Sequence, residues 1–266
     1  MQGSKPCGTL SGSRENAFFL LSIPKETDMK DSNTTIQSLF KAGAHFGFSK
    51  SRRHPSVSAY LFGTKQGTDI FDLERTSALL AEAVSYVTKL GEDGKVLLFV
   101  SSKEEIRDIV RTQADAVNMP YVTNRWIGGV LTNYSEIKKR INRMITLREQ
   151  ALSGELDRKY TKKERLMLSR EVDKLAFNFG GVEKIERTPD ALLVVDPRHD
   201  KVAVKEANDA KIPVVAIMSS DCDMSLVQKP VLANDANRES VTFVLTTLAT
   251  AYADGKSRFI PKVKVA

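Results

Sequence analysis

The sequence predicts a doubly wound α/β body on a mainly parallel sheet, with an antiparallel helical hairpin inserted into it. Three observations carry this. Apolar runs at Val96–Val100, Ala191–Val195 and Ile212–Met218 have no polar face, as strands covered by helices on both sides have none. Amphipathic stretches of helical period alternate with those runs, which is the pattern of βαβ crossovers. Between them, residues 131–181 change both period and charge.

Taken in order, residues 1–35 are rich in Ser, Thr, Gly and Lys without a sustained period, and are expected to be a disordered leader. Gly43 to Gly67 reads as irregular loops around a short extended piece near Ala59–Phe62. Asp72 can cap a helix with Leu73, Leu80, Ala83, Val84, Val87 and Leu90 on one face, ended by Gly91. Lys95 opens the first apolar strand. Ser102 then starts a helix that turns Ile106, Ile109, Val110 and Val117 inward, before a short strand at Tyr121–Thr123. After the interruption come the strand Ala191–Val195, a helix over Lys201–Ala210 and the strand Ile212–Met218. A short piece at Val227–Leu232 and a helix from Ala236 to Ala253 close the body. One α/β domain therefore spans residues 36–130 and 182–254, and a basic tail covers 255–266.

In the insertion, Asn133 with Glu136 and Thr161 with Glu164 have the spacing of capping boxes for two helices. Ile137, Ile141 and Met144 on the first, and Leu168, Val172, Leu175 and Phe179 on the second, alternate steps of four and three, the spacing of a coiled coil. Gly154 lies in the turn and Gly180-Gly181 at the exit. The hairpin is expected to stand off the body.

Composition narrows the class. Of 266 residues 41% are hydrophobic, enough for one sizeable core, and the net charge is +7. Two cysteines, Cys7 and Cys222, form no ligand spacing and indicate a reduced, intracellular protein. No apolar run reaches the roughly 20 residues of a membrane helix. The charge is uneven: residues 131–181 hold 12 Lys and Arg against 7 Asp and Glu, a net of +5. Residues 1–70 and the tail are each +4, whereas 71–130 and 182–254 are net acidic. Basic segments around a near-neutral body suit a protein that grips a polyanion at several points, nucleic acid ahead of membrane.

Catalytic signatures are missing. The first strong strand ends Val100-Ser101-Ser102-Lys103 with no phosphate-cradling glycine, and no dinucleotide, Walker A or nucleophile-elbow pattern occurs. Asp196 and Asp221, which follow strands, read as caps and loop formers. His45, His54 and His199 lie far apart, so neither metal nor cofactor is expected. The candidates for RNA contact are the basic loop Lys50, Arg52, Arg53 and His54, then Arg125-Trp126, and Asn133, Lys138, Lys139, Arg140, Arg143, Lys162 and Lys163 of the hairpin. A lone Trp more often packs in the core than stacks on a base. From these residues alone the reading is a nucleic-acid-binding α/β protein with a basic hairpin; the alternative is a cytosolic α/β enzyme or small-molecule binder.

Several motifs in collinear order resemble a known family. Leu39-Phe40-Lys41-Ala42-Gly43-Ala44-His45-Phe46-Gly47, Tyr60-Leu61-Phe62-Gly63 and Ile70-Phe71-Asp72-Leu73-Glu74-Arg75-Thr76 resemble the opening of bacterial-type small-subunit ribosomal protein S-two. So do Asn124-Arg125-Trp126-Ile127-Gly128-Gly129, Asn178-Phe179-Gly180-Gly181, Pro189-Asp190-Ala191-Leu192-Leu193-Val194-Val195-Asp196 and Asn234-Asp235-Ala236. The resemblance runs from Ile36 to Ala253. It implies a flavodoxin-like or Rossmann-like three-layer body with an inserted coiled-coil hairpin, and a structural part of the small ribosomal subunit. It also implies contacts with rRNA and neighbouring ribosomal proteins, help in docking the mRNA-binding ribosomal protein S-one, and no enzymatic activity, membrane contact or small-molecule substrate. The expected place is the cytoplasmic ribosome, with an organelle matrix as the alternative. The family usually carries a second His where this chain has Phe48, which removes the basis for a metal role at His45. Met29 precedes the first family-like residues and is a possible start of the mature chain.

Overall fold

A computed structural model describes residues 26–183, 185 and 187–259. It opens with α1 (Glu26–Lys41), which begins ten residues inside the segment expected to lack structure. Residues 1–25 of that leader lie outside the described residues, as does the tail beyond Phe259. Three short strands follow: β1 (Phe46–Ser49), β2 (Leu61–Lys65) and β3 (Thr68–Phe71), hydrogen-bonded antiparallel in the order β1-β3-β2. Loops with one extended piece were expected here. The β2–β3 turn is Gln66-Gly67, with φ of 52° and 79°, the backbone of a two-residue hairpin whose twist matches its strands.

Asp72 caps α2 (Leu73–Glu92) by accepting from the Glu74 amide. Gly91 does not end this helix. It lies buried in the last turn, where α2 crosses the final helix, α8 (Arg238–Ser257). A Cβ on Gly91 would sit 2.5 Å from the Tyr252 carbonyl oxygen, and one on Gly255 2.1 Å from that of Thr88. Glycine is needed at both positions for close backbone approach, and the positive φ that reverses the chain belongs to Gly94.

The body's sheet contains β4 (Leu97–Val100), β5 (Tyr121–Val122), β6 (Ala191–Val195), β7 (Val214–Met218) and β8 (Lys229–Leu232). All pairs are parallel, in the order β5-β4-β6-β7-β8. Alternate residues feed two cores. Leu97, Phe99, Leu193, Val195, Val215 and Ile217 face α2, α8 and α3 (Arg107–Ala116). Leu98, Val100, Leu192, Val194, Ala216 and Met218 face α7 (Lys201–Asp209) and the foot of the insertion. Ser102 does not start α3; a 3-10 turn at Glu104–Ile106 precedes the helix, and the Ser102 amide donates to Asp200.

The insertion forms α4 (Tyr134–Leu152), a short α5 (Glu155–Lys159) and α6 (Lys162–Phe179). Arg143 of α4 bridges to Glu171 of α6, while Arg148 and Leu152 share a cleft with Arg165 and Leu168. The two long helices therefore meet in reverse order. Ile137, Ile141, Met144 and Leu147 are buried, but Leu168, Val172 and Leu175 are only partly covered. The foot does not stand off the body: Ile137, Ile141 and Phe179 belong to the second core. Of the two expected capping boxes one forms, with Glu164 accepting from the Thr161 amide and hydroxyl. Asn133 makes no side-chain cap; its Oδ1 accepts from the Ser135 hydroxyl.

Candidate nucleic-acid interface

In a doubly wound sheet a ligand binds outside the carboxyl ends of the strands, where the strand order reverses. Here that point lies between β4 and β6, and the chain's own side chains fill it. Lys103, just after β4, reaches Asp196 after β6 at 2.6 Å and Asp235 after β8 at 3.1 Å. Asp200 accepts from the Ser102 amide and hydroxyl. Asp196 is left-handed, with φ 62°, so that its carboxylate also accepts from the amides of Arg198 and His199. Burial pushes the Asp235 carboxyl up to about 6, against the pull of Lys103, and it pushes the Cys222 thiol up as well. Lys103 thus ties together the ends of three strands at this point, while Asp235 Oδ1 and Ser101 Oγ stay buried without a hydrogen-bond partner.

The expected RNA-contact residues divide by what they touch. In the basic loop, Arg53 turns inward and forms a fork on the buried Asp69, with Nε–H donating to Oδ2 at 2.8 Å and Nη2–H donating to the Thr64 hydroxyl at 2.8 Å. The Arg53 hydrogen bonds hold the Asp69 carboxyl below the usual carboxylate range, even though burial opposes them. Arg53 is thus tied to the small sheet, with about a quarter of its side chain, 24%, still exposed. His54 shares a hydrogen bond with the Ser56 hydroxyl at 2.8 Å and lies 3.9 Å from Asp223. Lys50 and Arg52 remain at the surface, Arg52 over the Phe48 ring at 5.6 Å.

Trp126 packs inward. It is 8% exposed, in the second core, and its Nε1–H donates to Glu206 Oε2 at 2.9 Å. The other oxygen of Glu206 accepts from the amides of Gly129, Leu131 and Thr132 and from the Thr132 hydroxyl. Burial alone would raise the pKa of this carboxyl, but these donors hold it below its usual value. The ring and the carboxylate together pin a loop. Arg125 beside it is exposed.

On the hairpin, Lys139 pairs with Glu136 at 2.6 Å and Arg143 with Glu171 at 2.6 Å. Lys138, Arg140, Lys162 and Lys163 lie exposed. Ile127, beside the Arg125-Trp126 pair, lines a cleft with Arg140 and Arg143, so the Arg125 segment and the foot of the hairpin lie together.

The acid-free stretch around the basic loop is longer than the loop itself and adds Lys41 and Lys65. From Lys41 to Thr68 the chain contains no Asp or Glu. Among the described residues, Lys41, Lys50, Arg52 and Lys65 join no ion pair, and Phe40, Phe46 and Phe62 beside them are exposed, Phe62 by 82%. The acid-free run was legible as a signal; the exposed rings were not, because an apolar residue in a helix or short strand reads first as core. His45 lies between Phe40 and Phe46, with ring centroids 4.6 and 4.0 Å away, and burial lowers its pKa.

Among the described residues no helix is long and apolar enough to cross a membrane. Comparison with known proteins agrees with the geometry. The family model for ribosomal protein S2 matches residues 39–255. Small ribosomal subunit protein uS2 of Fusobacterium nucleatum is 38% identical over 221 residues, which is 83% of this chain and 90% of the relative. That of Dictyoglomus turgidum is 38% identical over 83% of this chain and 89% of its own length. That of Helicobacter hepaticus is 36% identical over 84% of each. These relatives are structural components of the ribosome, so the alternative reading as an α/β enzyme is set aside. The family match over residues 39–255, with identities of 36% to 38% across most of the chain, shows that this protein belongs to the ribosomal protein S2 family of the small ribosomal subunit.

Proposed function

We propose that this chain binds small-subunit rRNA mainly through the acid-free surface of its small antiparallel sheet, and that the same sheet helps dock the mRNA-binding ribosomal protein S-one. The supporting observation is the run of 28 residues from Lys41 to Thr68 without an acidic side chain, in which the one inward-facing arginine is neutralised by Asp69. Lys50, Arg52 and Lys65 are left facing solvent, where each phosphate contact releases counterions from the RNA. Arg125, Arg140, Lys162 and Lys163 supply further contacts, while Lys139 and Arg143 contribute less because nearby glutamates hold them. The exposed Phe40, Phe46 and Phe62 give RNA phosphates nothing to bind and suit an apolar protein neighbour.

Ultraviolet cross-linking on assembled small subunits tests this reading. Peptides spanning residues 48–66 are expected among those joined to rRNA. Cross-links confined to residues 131–181 would move the RNA contact to the hairpin.

A further inference from the structure

Two groups of polar bonds seat the small antiparallel sheet on the body, and both lead to the same buried charges. On one side the Asn234 amide donates to the Ala44 carbonyl at 3.1 Å. The side-chain amides of Asn234 and Asn237 donate to the carbonyls of Gly43 and Ala42. On the other side the Phe48 amide donates to the Ser220 hydroxyl at 2.9 Å, and the His54 amide to the Ser220 carbonyl at 2.8 Å. Asp235 lies between the two asparagines, and Asp221 and Cys222 follow Ser220.

Asp235 is fully buried and lies 3.1 Å from the Lys103 ammonium, which also serves Asp196 at 2.6 Å. Asp196 and Asp221 both repel a charge on Asp235. The half-exposed Arg198 holds Asp221 at 2.6 Å, and His199 acts on the neighbouring Asp200. The Cys222 thiol stays neutral, because burial and the nearby carboxylates push its pKa up. Hydrogen bonding is also least complete along this seam. Among the described residues five buried side-chain polar atoms have no hydrogen-bond partner. Four of them are His45 Nδ1 before β1, Ser101 Oγ after β4, Asp235 Oδ1 after β8 and Ser240 Oγ in the first turn of α8. A buried oxygen that is both charged and unpaired is costly, and a proton on Asp235 removes that charge. Such a seam opens at less cost than the apolar cores on either side of the large sheet.

We propose that Lys103, Asp196 and Asp235 form a proton-sensitive latch that sets how firmly the small sheet sits on the body. With Asp235 protonated, Lys103 serves Asp196 alone, and the loop from Asn234 to Asn237 holds Ala42–Ala44 in place. With Asp235 ionised, repulsion from Asp196 and Asp221 loosens the loop, and Lys50, Arg52, Lys65 and the exposed rings move with it. The latch does not depend on what the small sheet binds; only its effect on rRNA binding rests on the surface proposed above.

Hydrogen exchange of the full chain, read by mass spectrometry and corrected for the intrinsic rate at each pH, tests the latch. The seated form raises the Asp235 carboxyl from the ordinary 3.8 to about 6, so its proton favours seating at low pH and this contribution is lost as pH rises through 6. The protection of residues 42–49, relative to that of β6 and β7, should fall roughly tenfold between about pH 5 and about pH 8 and level off above about pH 6. His45 cannot imitate this, because burial lowers its pKa and its titration would loosen the seam as pH falls. Asp235→Asn should show the same relative protection at both ends of the range. A flat wild-type profile, an equal loss in Asp235→Asn, or a loss shared by β6 and β7 would overturn the proposal. If Asp235→Asn does not fold, the wild-type profile decides alone, and a fall that continues up to about pH 8 overturns the latch. Failure of residues 48–66 to cross-link to rRNA would contradict the proposed RNA surface and leave the latch standing.

Discussion

Trp126 Nε1–H donates to Glu206 Oε2 at 2.9 Å, and with that bond a helix of one half of the body holds a loop of the other, 80 residues away in sequence. Glu206 Oε1 gathers the amides of Gly129, Leu131 and Thr132, so one carboxylate shapes the whole turn that leads into the hairpin. Glu206→Gln keeps the Oε1 acceptor but sets an amide N–H against the indole N–H. The loss of stability should be about 3 kcal/mol, the scale of buried donors left unpaired. Trp126→Phe, which removes both volume and donor at the edge of the core, should cost less. Urea midpoints of the two variants check the order, and a Glu206→Gln variant as stable as the wild type would contradict it.

Gly255→Ala should be more damaging than its small size suggests. The new methyl would lie 2.1 Å from the Thr88 carbonyl oxygen, so α2 and α8 must move apart. Overpacking of this kind costs about 1–3 kcal/mol. Gly128→Ala, with open space around the added carbon, serves as the control. Thermal unfolding of both variants gives the comparison.

Much of the body could be read from sequence because its signals are local. Val96–Val100, Ala191–Val195 and Ile212–Met218 have no polar face, and that alone makes them buried strands. The small sheet was missed because Phe46 pairs with Ile70 and Leu61 with Phe71, partners without a continuous period, and because its turn uses Gln-Gly in place of Asn-Gly. Gly91 resembles a stop signal, since a helix crossing and a helix end both call for glycine. The candidate contact residues were legible as charges but not as free charges. Nothing in the spacing of Arg53 and Asp69, or of Arg143 and Glu171, says that they meet.

The buried network at the carboxyl ends of the strands should respond to pH in a definite direction. The folded protein raises the Asp235 carboxyl from the ordinary 3.8 to about 6, so the fold binds this proton more tightly than the unfolded chain does. Asp235 therefore favours the fold most below about pH 4, and this contribution is lost as pH rises through 6. Asp235→Asn removes the dependence. The stability difference between wild type and Asp235→Asn should shift towards the wild type as pH falls from 7 to 4, by a few kcal/mol at most. Urea titrations of both proteins across that range measure it; a constant difference would mean that Asp235 is ionised throughout.

The exposed rings are expected to matter for protein docking rather than folding. Phe46→Ser with Phe62→Ser changes two side chains that face solvent, so stability should stay within about 0.5 kcal/mol. Small subunits carrying this double variant should retain less of the protein S-one after purification, with rRNA content unchanged. Quantitative mass spectrometry of the purified subunits gives the ratio, and wild-type retention would remove S-one from this surface.

The central claim is that unpaired cations of the small sheet, and not the paired charges of the hairpin, dominate the grip on rRNA. Nearly complete small subunits that lack this protein, titrated with the chain over a range of salt concentrations, test it most directly. Lys50→Gln with Arg52→Gln should weaken incorporation and flatten its salt dependence by about one unit of slope for each phosphate no longer neutralised. Lys139→Gln with Arg143→Gln should change the slope much less, because Glu136 and Glu171 already hold those charges. Equal slopes for wild type and the Lys50, Arg52 variant, with a flattened slope for the hairpin variant, would contradict the claim.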